Sequence, residues 1–511
     1  MFRPCMESMV NRAASPDRSG VRGLPAPFVV FAFFLVNVAA WMIYAELSRG
    51  VETIHEDVAE AYAWGREFQL GYFKHPPFWS WIAGIWFWIL PHRNWAFSLL
   101  AVLNANIGLW GAWKLIGRFA GAEKRVIATI LLLLTPFYTF LCFKYNANSI
   151  FLSLWPWTAY FFVRSIDERR PWHGVMFGVL AAADILSKYF AVVLLATCLI
   201  AALVHPERRK YFASAAPYLA IGVAALLIAP HIWWLVTTGF QPFHYLDSET
   251  HHTLGFSVQN ALRFLLGAAL FHLVIAIIVL LAKPMPWRRW VAAIRERSRD
   301  PRFRFLAILC LAPCLLTAIA GPLIRLKLST NMTIGIFCLV PLLLIEIAAI
   351  TDWRRAIRLA FGSVGLLTVG ALCVAPFIPY ALFADGRPTA VDPRQEIAAE
   401  ATRIWRQVTG TPLAIVAGVS PYPGAATFYS EDQPSQLIDF NFTYSPWLTP
   451  ETVARRGLLA ICPKGNARCL ASAAKFATPE TVRREVTLTH DLGDRRGPPV
   501  SFVLVIVPPR Q

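Results

Sequence analysis

Charge is scarce in this sequence. Asp, Glu, Lys and Arg make up 15% of its 511 residues, against 56% hydrophobic ones, where a soluble domain carries roughly 25% charged. That scarcity excludes a soluble protein built on one large core and points to an integral membrane protein. Acidic residues are the rarer sign, 31 against 48 basic, for a formal net charge of +17. A basic excess raises nucleic acid as a partner, but the Lys and Arg fall in short clusters between apolar runs, as cytoplasmic loops do. No long basic stripe or RNA-binding motif accompanies them, so no nucleic-acid partner is expected. A nucleotide-phosphate loop is missing too: there is no GxxxxGK[ST] and no convincing GxGxxG. Of the nine cysteines, seven lie at the N-terminus or within apolar runs, where packing explains them. Cys462 and Cys469 stand close together in a polar region, with no strong zinc spacing; if that region is exported, they are a disulfide pair.

What is present in quantity is apolar sequence in lengths that suit a bilayer, about 20 residues each. Residues 1–25 are polar and Arg-bearing, and the run 27–47 exceeds the roughly 7–15 residues of a cleaved signal's apolar region. This predicts a cytoplasmic tail and a retained first span. Further candidates are 95–117, 125–142, 149–163, 173–187, 189–204, 212–236, 258–282, 304–322, 329–350 and 357–380. Lys/Arg placement alternates consistently, with cytoplasmic clusters at Arg118/Lys124/Arg125, Arg164/Arg169/Arg170, Arg208/Arg209/Lys210, Lys283 to Arg304 and Arg354/Arg355/Arg358. Pro76 to Leu90 is apolar but short, and it carries Trp79, Trp81, Trp86 and Trp88. Tryptophan favours the interface, so this segment is placed along the outer leaflet. The expectation is a polytopic α-helical membrane protein of about eleven transmembrane helices plus interfacial helices. Its membrane domain covers 26–380, with 48–91 as the first periplasmic loop.

From Leu382 the composition changes. Helices are expected at 396–408, 450–456 and 466–476, and strands at 412–419, 458–461, 485–488 and 501–507. Residues 381–511 therefore read as a soluble, periplasmic α/β domain.

The chemistry gathers in the first loop. Asp57 and Glu60 are three apart in a segment, Glu56 to Leu70, of helical character, so they share a face that Trp64 and Phe68 continue. The functional reading is a general base with a second acid that positions it or binds a cation; a solvated loop helix is the alternative. Lys74 and His75 precede Pro76-Pro77, which fix the turn. The lysine could neutralise a lipid phosphate, and the histidine could bind phosphate or a metal; snorkelling is the plain alternative. Lys144, Tyr145, Asn146 and Asn148 form a second external loop. His244, Tyr245, Asp247, Glu249, His251 and His252 follow span seven without a tight metal spacing. Arg325 and Lys327 enter from the external side, where basic residues are rare, as anion-binding candidates. Tyr62 and Lys188 complete the weaker set with Lys144, Asn146, Asn148 and Tyr245.

An acidic pair in the first external loop, then GYFKHPP and a Trp-rich segment, resembles the GT-C membrane glycosyltransferases. More narrowly it is similar to the ArnT-like and RgtA/B/C/D-like group (glycosyltransferase families 39 and 83), related to protein O-mannosyltransferases. The resemblance covers about 28–380 and includes FKYNANS and LSKY. It implies transfer of a sugar from a polyprenyl-phosphate donor to an acceptor on the periplasmic face of a bacterial inner membrane. The acceptor would be a glycolipid, lipopolysaccharide first, or a protein. It implies an essential first-loop acid, matched by Asp57 and then Glu60. The aminoarabinose transferases carry Glu-Lys before Pro-Pro, the acid linked to metal and the lysine to the carrier phosphate; here those positions are Lys74 and His75. A divalent metal is thus left open, with His75 and His251 as its candidates. Many relatives show an aspartate where this chain has Asn148.

The resulting expectation is Asp57 as base, Lys74, His75, Arg325 and Lys327 as phosphate ligands, and displacement with inversion. The rival reading is a polytopic transporter or flippase without transferase activity. It would call for paired Gly/Pro-broken segments in matching halves, which the chain lacks.

Overall fold

The computed structural model describes residues 27–50, 52–248 and 250–510; the expected cytoplasmic tail, 1–25, lies outside them. The chain is mostly helical. Helix α1 (Pro27–Arg49) has 23 residues, about 34 Å at 1.5 Å per residue, enough to cross an apolar layer with every internal backbone group satisfied. Two short helices follow, α2 (Glu56–Gly65) and α3 (Phe78–Ile89). Then come α4 (Asn94–Ile116), α5 (Ala122–Leu132), α6 (Phe151–Glu168), α7 (Pro171–Ile185), α8 (Val192–Val204) and α9 (Ala216–Thr237). Helices α10 (Leu254–Leu270) and α11 (Leu273–Ala282) form a pair bent by 42°. Helices α12 (Pro301–Leu323) and α13 (Trp353–Val374) complete the membrane part.

Among the described residues, five helices are long and apolar enough to cross a membrane by themselves, or six if the bent pair is one span. The other expected spans are shorter, interrupted or, in α6, charged at one end by Arg164, Asp167 and Glu168. The segment 125–142 stays helical only to Leu132, because Thr135-Pro136 starts a 3-10 turn. The segment 329–350 opens with a 3-10 turn and is α-helical only over Val340–Ala348. Such pieces are tolerated where other helices enclose them. Polar side chains join some of the helices: Asn37 of α1 donates to Asn106 of α4 at 3.0 Å, both buried. Asn104 of α4 donates to the backbone carbonyl of Ser149 at 2.7 Å and accepts from Ser153 at 2.6 Å.

Helix α3 has 12 residues, about 18 Å, too short to span, in keeping with an interfacial placement. Its tryptophans act mainly on the loops. Trp79, Trp81 and Trp86 donate their indole N–H to the carbonyls of Pro76, Gln69 and Ala96 at 3.1, 2.9 and 2.9 Å. Trp88 stays 70% exposed, with Ile89 at 80%, which marks the apolar face left for lipid.

The loop helix departs from expectation. It ends at Gly65 rather than running to Leu70, and it is packed, not spread on a leaflet. A Cβ on Gly65 would lie 2.0 Å from the Ser80 carbonyl oxygen, and one on Gly84 would lie 2.5 Å from that of Gly65. Only glycine at both positions lets α2 and α3 touch backbone to backbone. Phe68 then adopts φ +45° and stacks on Trp88 at 4.7 Å instead of continuing the acidic face.

The C-terminal part holds one five-stranded sheet, order β2-β1-β3-β5-β4. Strands β1 (Ile415–Gly418), β2 (Ser435–Ile438) and β3 (Leu458–Pro463) are parallel, and β4 (Val482–Leu488) and β5 (Val500–Val507) complete it antiparallel. Helices α14 (Arg394–Thr409) and α15 (Tyr422–Tyr429) pack on it. The expected strands and helices are present within a few residues; α15 and β2 are additional. Cys462 and Cys469 form a disulfide, Cα to Cα 5.7 Å.

Gly65→Ala is expected to force α2 from α3, at about 1–3 kcal/mol for overpacking. The check is the thermal midpoint of the detergent-solubilised protein against Gly222→Ala, a glycine whose added Cβ would meet nothing within 4 Å. Equal midpoints would refute the close-packing account.

Candidate active site

Helix α2 starts on a side-chain cap. His55 Nδ1 accepts the backbone N–H of Asp57 at 3.1 Å, and Glu56 and Asp57 fill the first turn, where the helix dipole favours negative charge. This aims Asp57 at the loop after α5. There Asn146 Oδ1 accepts the N–H groups of Asn148 and Ser149 at 2.9 and 3.0 Å, which fixes the amide so that its Nδ2 donates to Asp57 Oδ2 at 3.3 Å. Lys144 Nζ sits 2.8 Å from the same oxygen. Burial opposes ionisation of Asp57, but the hydrogen bond and charge of Lys144, with His55 and Asn146, outweigh it and hold the carboxyl below its usual value.

Glu60, one turn on, pairs with Lys74 Nζ at 2.9 Å. Burial keeps its carboxyl above the usual value even so. The two acids are therefore pushed in opposite directions, an arrangement that separates acid and base roles. Burial also opposes the charge of Lys74, but Glu60 prevails and the ammonium stays charged. Its Nζ lies 5.8 to 5.9 Å from the ring centres of Trp64, Phe73 and Tyr245.

His75 is enclosed between Trp64 and Trp79, ring centres 6.4 and 6.1 Å away. Burial, with Lys188 and Lys74 nearby, holds it well below the usual imidazole value. It is neutral, a hydrogen-bonding group and not a cation. Lys188, in the turn between α7 and α8, donates to Asn148 Oδ1 at 2.8 Å. Burial pushes its ammonium down to about 8, with Lys74 adding to the shift and Asp57 opposing it.

The structure thus brings together Asp57, Glu60, Lys74, His75, Lys144, Asn146, Asn148, Lys188 and Tyr245. It does not join the remaining candidates to them. Tyr62 points into the contact with the C-terminal domain, where its hydroxyl donates to Gln433 at 3.3 Å and its ring meets His92 and Phe428. Arg325 and Lys327 are exposed beyond α12, without an ion pair among the described residues. His251 is exposed and lies 3.8 Å from Asp247.

Sequence reasoning missed His55. With Glu56 and Asp57 it forms a group whose ligand atoms lie within 4.8 Å of one another, and the contiguous His-Glu-Asp was its signal. The group fits a cation poorly as arranged. Asp57 already accepts from Lys144 and Asn146, His55 Nδ1 is taken by the helix N-terminus, and Glu56 accepts from Ser420 at 3.1 Å. A metal there would share Asp57 with the Lys144 ammonium, whose charge opposes a second cation. Neither His75 nor His251 belongs to this group.

The second omission is the clamp that the C-terminal domain places on the loop. Arg394 donates to the Ile54 carbonyl at 2.8 Å, and Tyr429 accepts from the Ile54 N–H at 2.8 Å while donating to Asn94 at 2.6 Å. Arg66 donates to the Gln433 carbonyl, and Phe73 stacks on Tyr444 at 4.2 Å. Long-range contacts of this kind leave no local pattern to read.

Comparison with known proteins now adds to the geometry. The family model described as dolichyl-phosphate-mannose-protein mannosyltransferase matches residues 74–234. That stretch holds Lys74, Lys144, Asn146, Asn148 and Lys188 but begins after Asp57 and Glu60. Among solved structures, ArnT from Cupriavidus metallidurans in the apo state is 15% identical, with TM-score 0.60, over 94% of this chain and 98% of that one. ArnT from the same organism bound to undecaprenyl phosphate is 14% identical, with TM-score 0.62 and the same coverage. No curated protein matches the chain. The chain has the GT-C fold of ArnT.

Lys144→Met should raise the titration midpoint of Asp57, since it removes the cation that favours the carboxylate. The upward shift is read from the carboxylate infrared band in difference spectra against Asp57→Asn. An unchanged midpoint would rule out Lys144 as the cause.

Proposed function

We propose that the protein is a glycosyltransferase of the bacterial inner membrane that moves a hexose or pentose from a polyprenyl-phosphate donor to an envelope acceptor on the periplasmic face. One observation carries the reading: an ionised carboxylate, Asp57, in one cluster with the lysines Lys74 and Lys188, in a chain with the GT-C fold. The ArnT structure it resembles holds undecaprenyl phosphate, and a polyprenyl phosphate is the class of carrier assigned here. A glycolipid acceptor, lipopolysaccharide first, follows from the same kinship. The periplasmic side is supported by the basic clusters at the opposite helix ends and by the Cys462–Cys469 disulfide, a bond that persists in oxidising compartments.

The chemistry needs a base and a phosphate clamp. The acceptor hydroxyl approaches Asp57, and its oxygen bonds to the anomeric carbon from the face opposite the carrier. The bond from that carbon to the phosphate oxygen breaks, its electron pair leaves on the polyprenyl phosphate, and the hydroxyl proton ends on Asp57. Inversion follows from a single displacement. Lys74 and Lys188 stabilise the departing phosphate, and neutral His75 offers a hydrogen bond. An anion bound beside Lys188 favours its ammonium against the burial that opposes it. Tyr245 and Phe73 wall the Lys74 side. Arg325 and Lys327 are assigned only to long-range attraction of the anionic carrier.

In detergent, the purified protein is expected to release polyprenyl phosphate from a polyprenyl-phosphate sugar when an envelope glycolipid fraction is supplied. Asp57→Asn should lower that rate by about 10²-fold or more while leaving expression and insertion unchanged. An intact donor with the unaltered protein would favour a transporter or flippase, and full activity of the variant would remove Asp57 as the base.

Lys74→Met should raise the KM for the donor and leave that for the acceptor unchanged. An effect confined to the acceptor would place the carrier phosphate elsewhere.

A further inference from the structure

An apolar groove of about 270 Å³ opens between α6, α7, α8 and α9, lined by Phe162, Phe177, Cys198, Ala202, Tyr211 and Ala220 among others. It lies toward the far end of these helices from the acid and lysine cluster. Helix α7 runs from Arg170 to the turn holding Lys188, and α8 runs back from that turn to His205. At the far end the chain is basic. Arg208, Arg209 and Lys210 immediately precede Tyr211 and Phe212, which line the groove, and Tyr211 is held in place through Ser165, 3.2 Å from its hydroxyl. Arg169 and Lys210 meet Glu207 at 3.8 and 2.7 Å. Arg208, Arg209 and Arg170 are exposed and make no ion pair among the described residues.

An apolar slot between membrane helices, with exposed arginines directly preceding two of its lining residues, has the chemistry of one amphiphile: an acyl chain in the slot and an anionic headgroup at the arginines. We infer that this groove binds an anionic phospholipid, with a chain along Phe162, Phe177 and Ala220 and its phosphate at Arg208 and Arg209. The polyprenyl tail of the donor is the other apolar candidate, but its single phosphate is at the opposite end of the helices. A zwitterionic lipid would leave the arginine charge uncompensated. This site is separate from the transfer chemistry and stands without it.

Native mass spectrometry of the full chain, exchanged into mixed micelles holding equal palmitoyl-oleoyl phosphatidylglycerol and phosphatidylcholine, tests the inference. Retained adducts should be phosphatidylglycerol. The surface variant Arg208→Gln/Arg209→Gln should lose the preference by roughly ten-fold or more, and Leu199→Trp, which fills the groove from an exposed position, should lower occupancy without removing charge. Equal retention of the two lipids, an unchanged preference in the double arginine variant, or full occupancy in Leu199→Trp would each overturn it. One-for-one displacement by undecaprenyl phosphate would also overturn it and assign the groove to the carrier tail.

Discussion

The charged loop depends on how closely α2 can lie against α3. Backbone contact at Gly65 and Gly84 brings the two helices together, and the chain between them returns through Pro76-Pro77 to set Lys74 beside Glu60. The indole N–H groups of Trp79 and Trp81 hold that return by donating to its carbonyls. A side chain at either glycine would push the helices apart and strain the 2.9 Å ion pair. Backbone proximity therefore comes first, and the electrostatics are built on it.

On that frame the charges divide into two groups. Lys144 and Asn146 are committed to Asp57, with Asn146 itself oriented by the Asn148 and Ser149 amides. Asn104 reaches the same loop from inside the helix bundle, so Asp57 is referenced to the membrane core rather than to solvent. Lys74 and Lys188 form the second group. One is charged against Glu60, and the other is held near 8 by burial. Lys144 and Lys74 are each matched by a carboxylate, Asp57 and Glu60, while Lys188 has only the Asn148 amide as its partner among the described residues, which leaves it to meet an anionic ligand. A carboxylate in place of Asn146 or Asn148 would compete with Asp57 for Lys144 or give Lys188 an ion pair of its own.

Much of this was legible in the sequence, for identifiable reasons. Asp57, Glu60, Lys74 and His75 were conspicuous because charge is rare here and these four fall within 19 residues. The strands β3 and β5 and the helix α14 follow from periodicity. The Cys462–Cys469 disulfide could be anticipated from two cysteines seven apart in a polar region. What could not be read depends on partners distant in sequence. The neutrality of His75 comes from Trp64 and Trp79 and from Lys188, more than 100 residues away. Tyr62 looks like a site residue until Phe428 and Gln433 arrive to cover it. The helical spacing runs past the end of α2 because Phe68 keeps it while its backbone has already turned.

The C-terminal domain is a structural part of the loop, not an appendage. Ile54, one residue before His55, has its carbonyl taken by Arg394 and its N–H by Tyr429. Thr53 is fixed by Thr389 at 2.7 Å. The residues that begin α2 thus obtain their backbone partners from beyond residue 388, and α15 lies along the face of α2 opposite the acids, with Gly424 admitting Ala59. The buried side of α2, Val58, Ala59, Tyr62 and Ala63, would otherwise expose apolar surface at the membrane boundary. Covering it is what turns the helix so that Asp57 and Glu60 face Lys144 and Lys74. The acids are few in this chain, and their orientation is set jointly by the membrane helices and the domain that follows them.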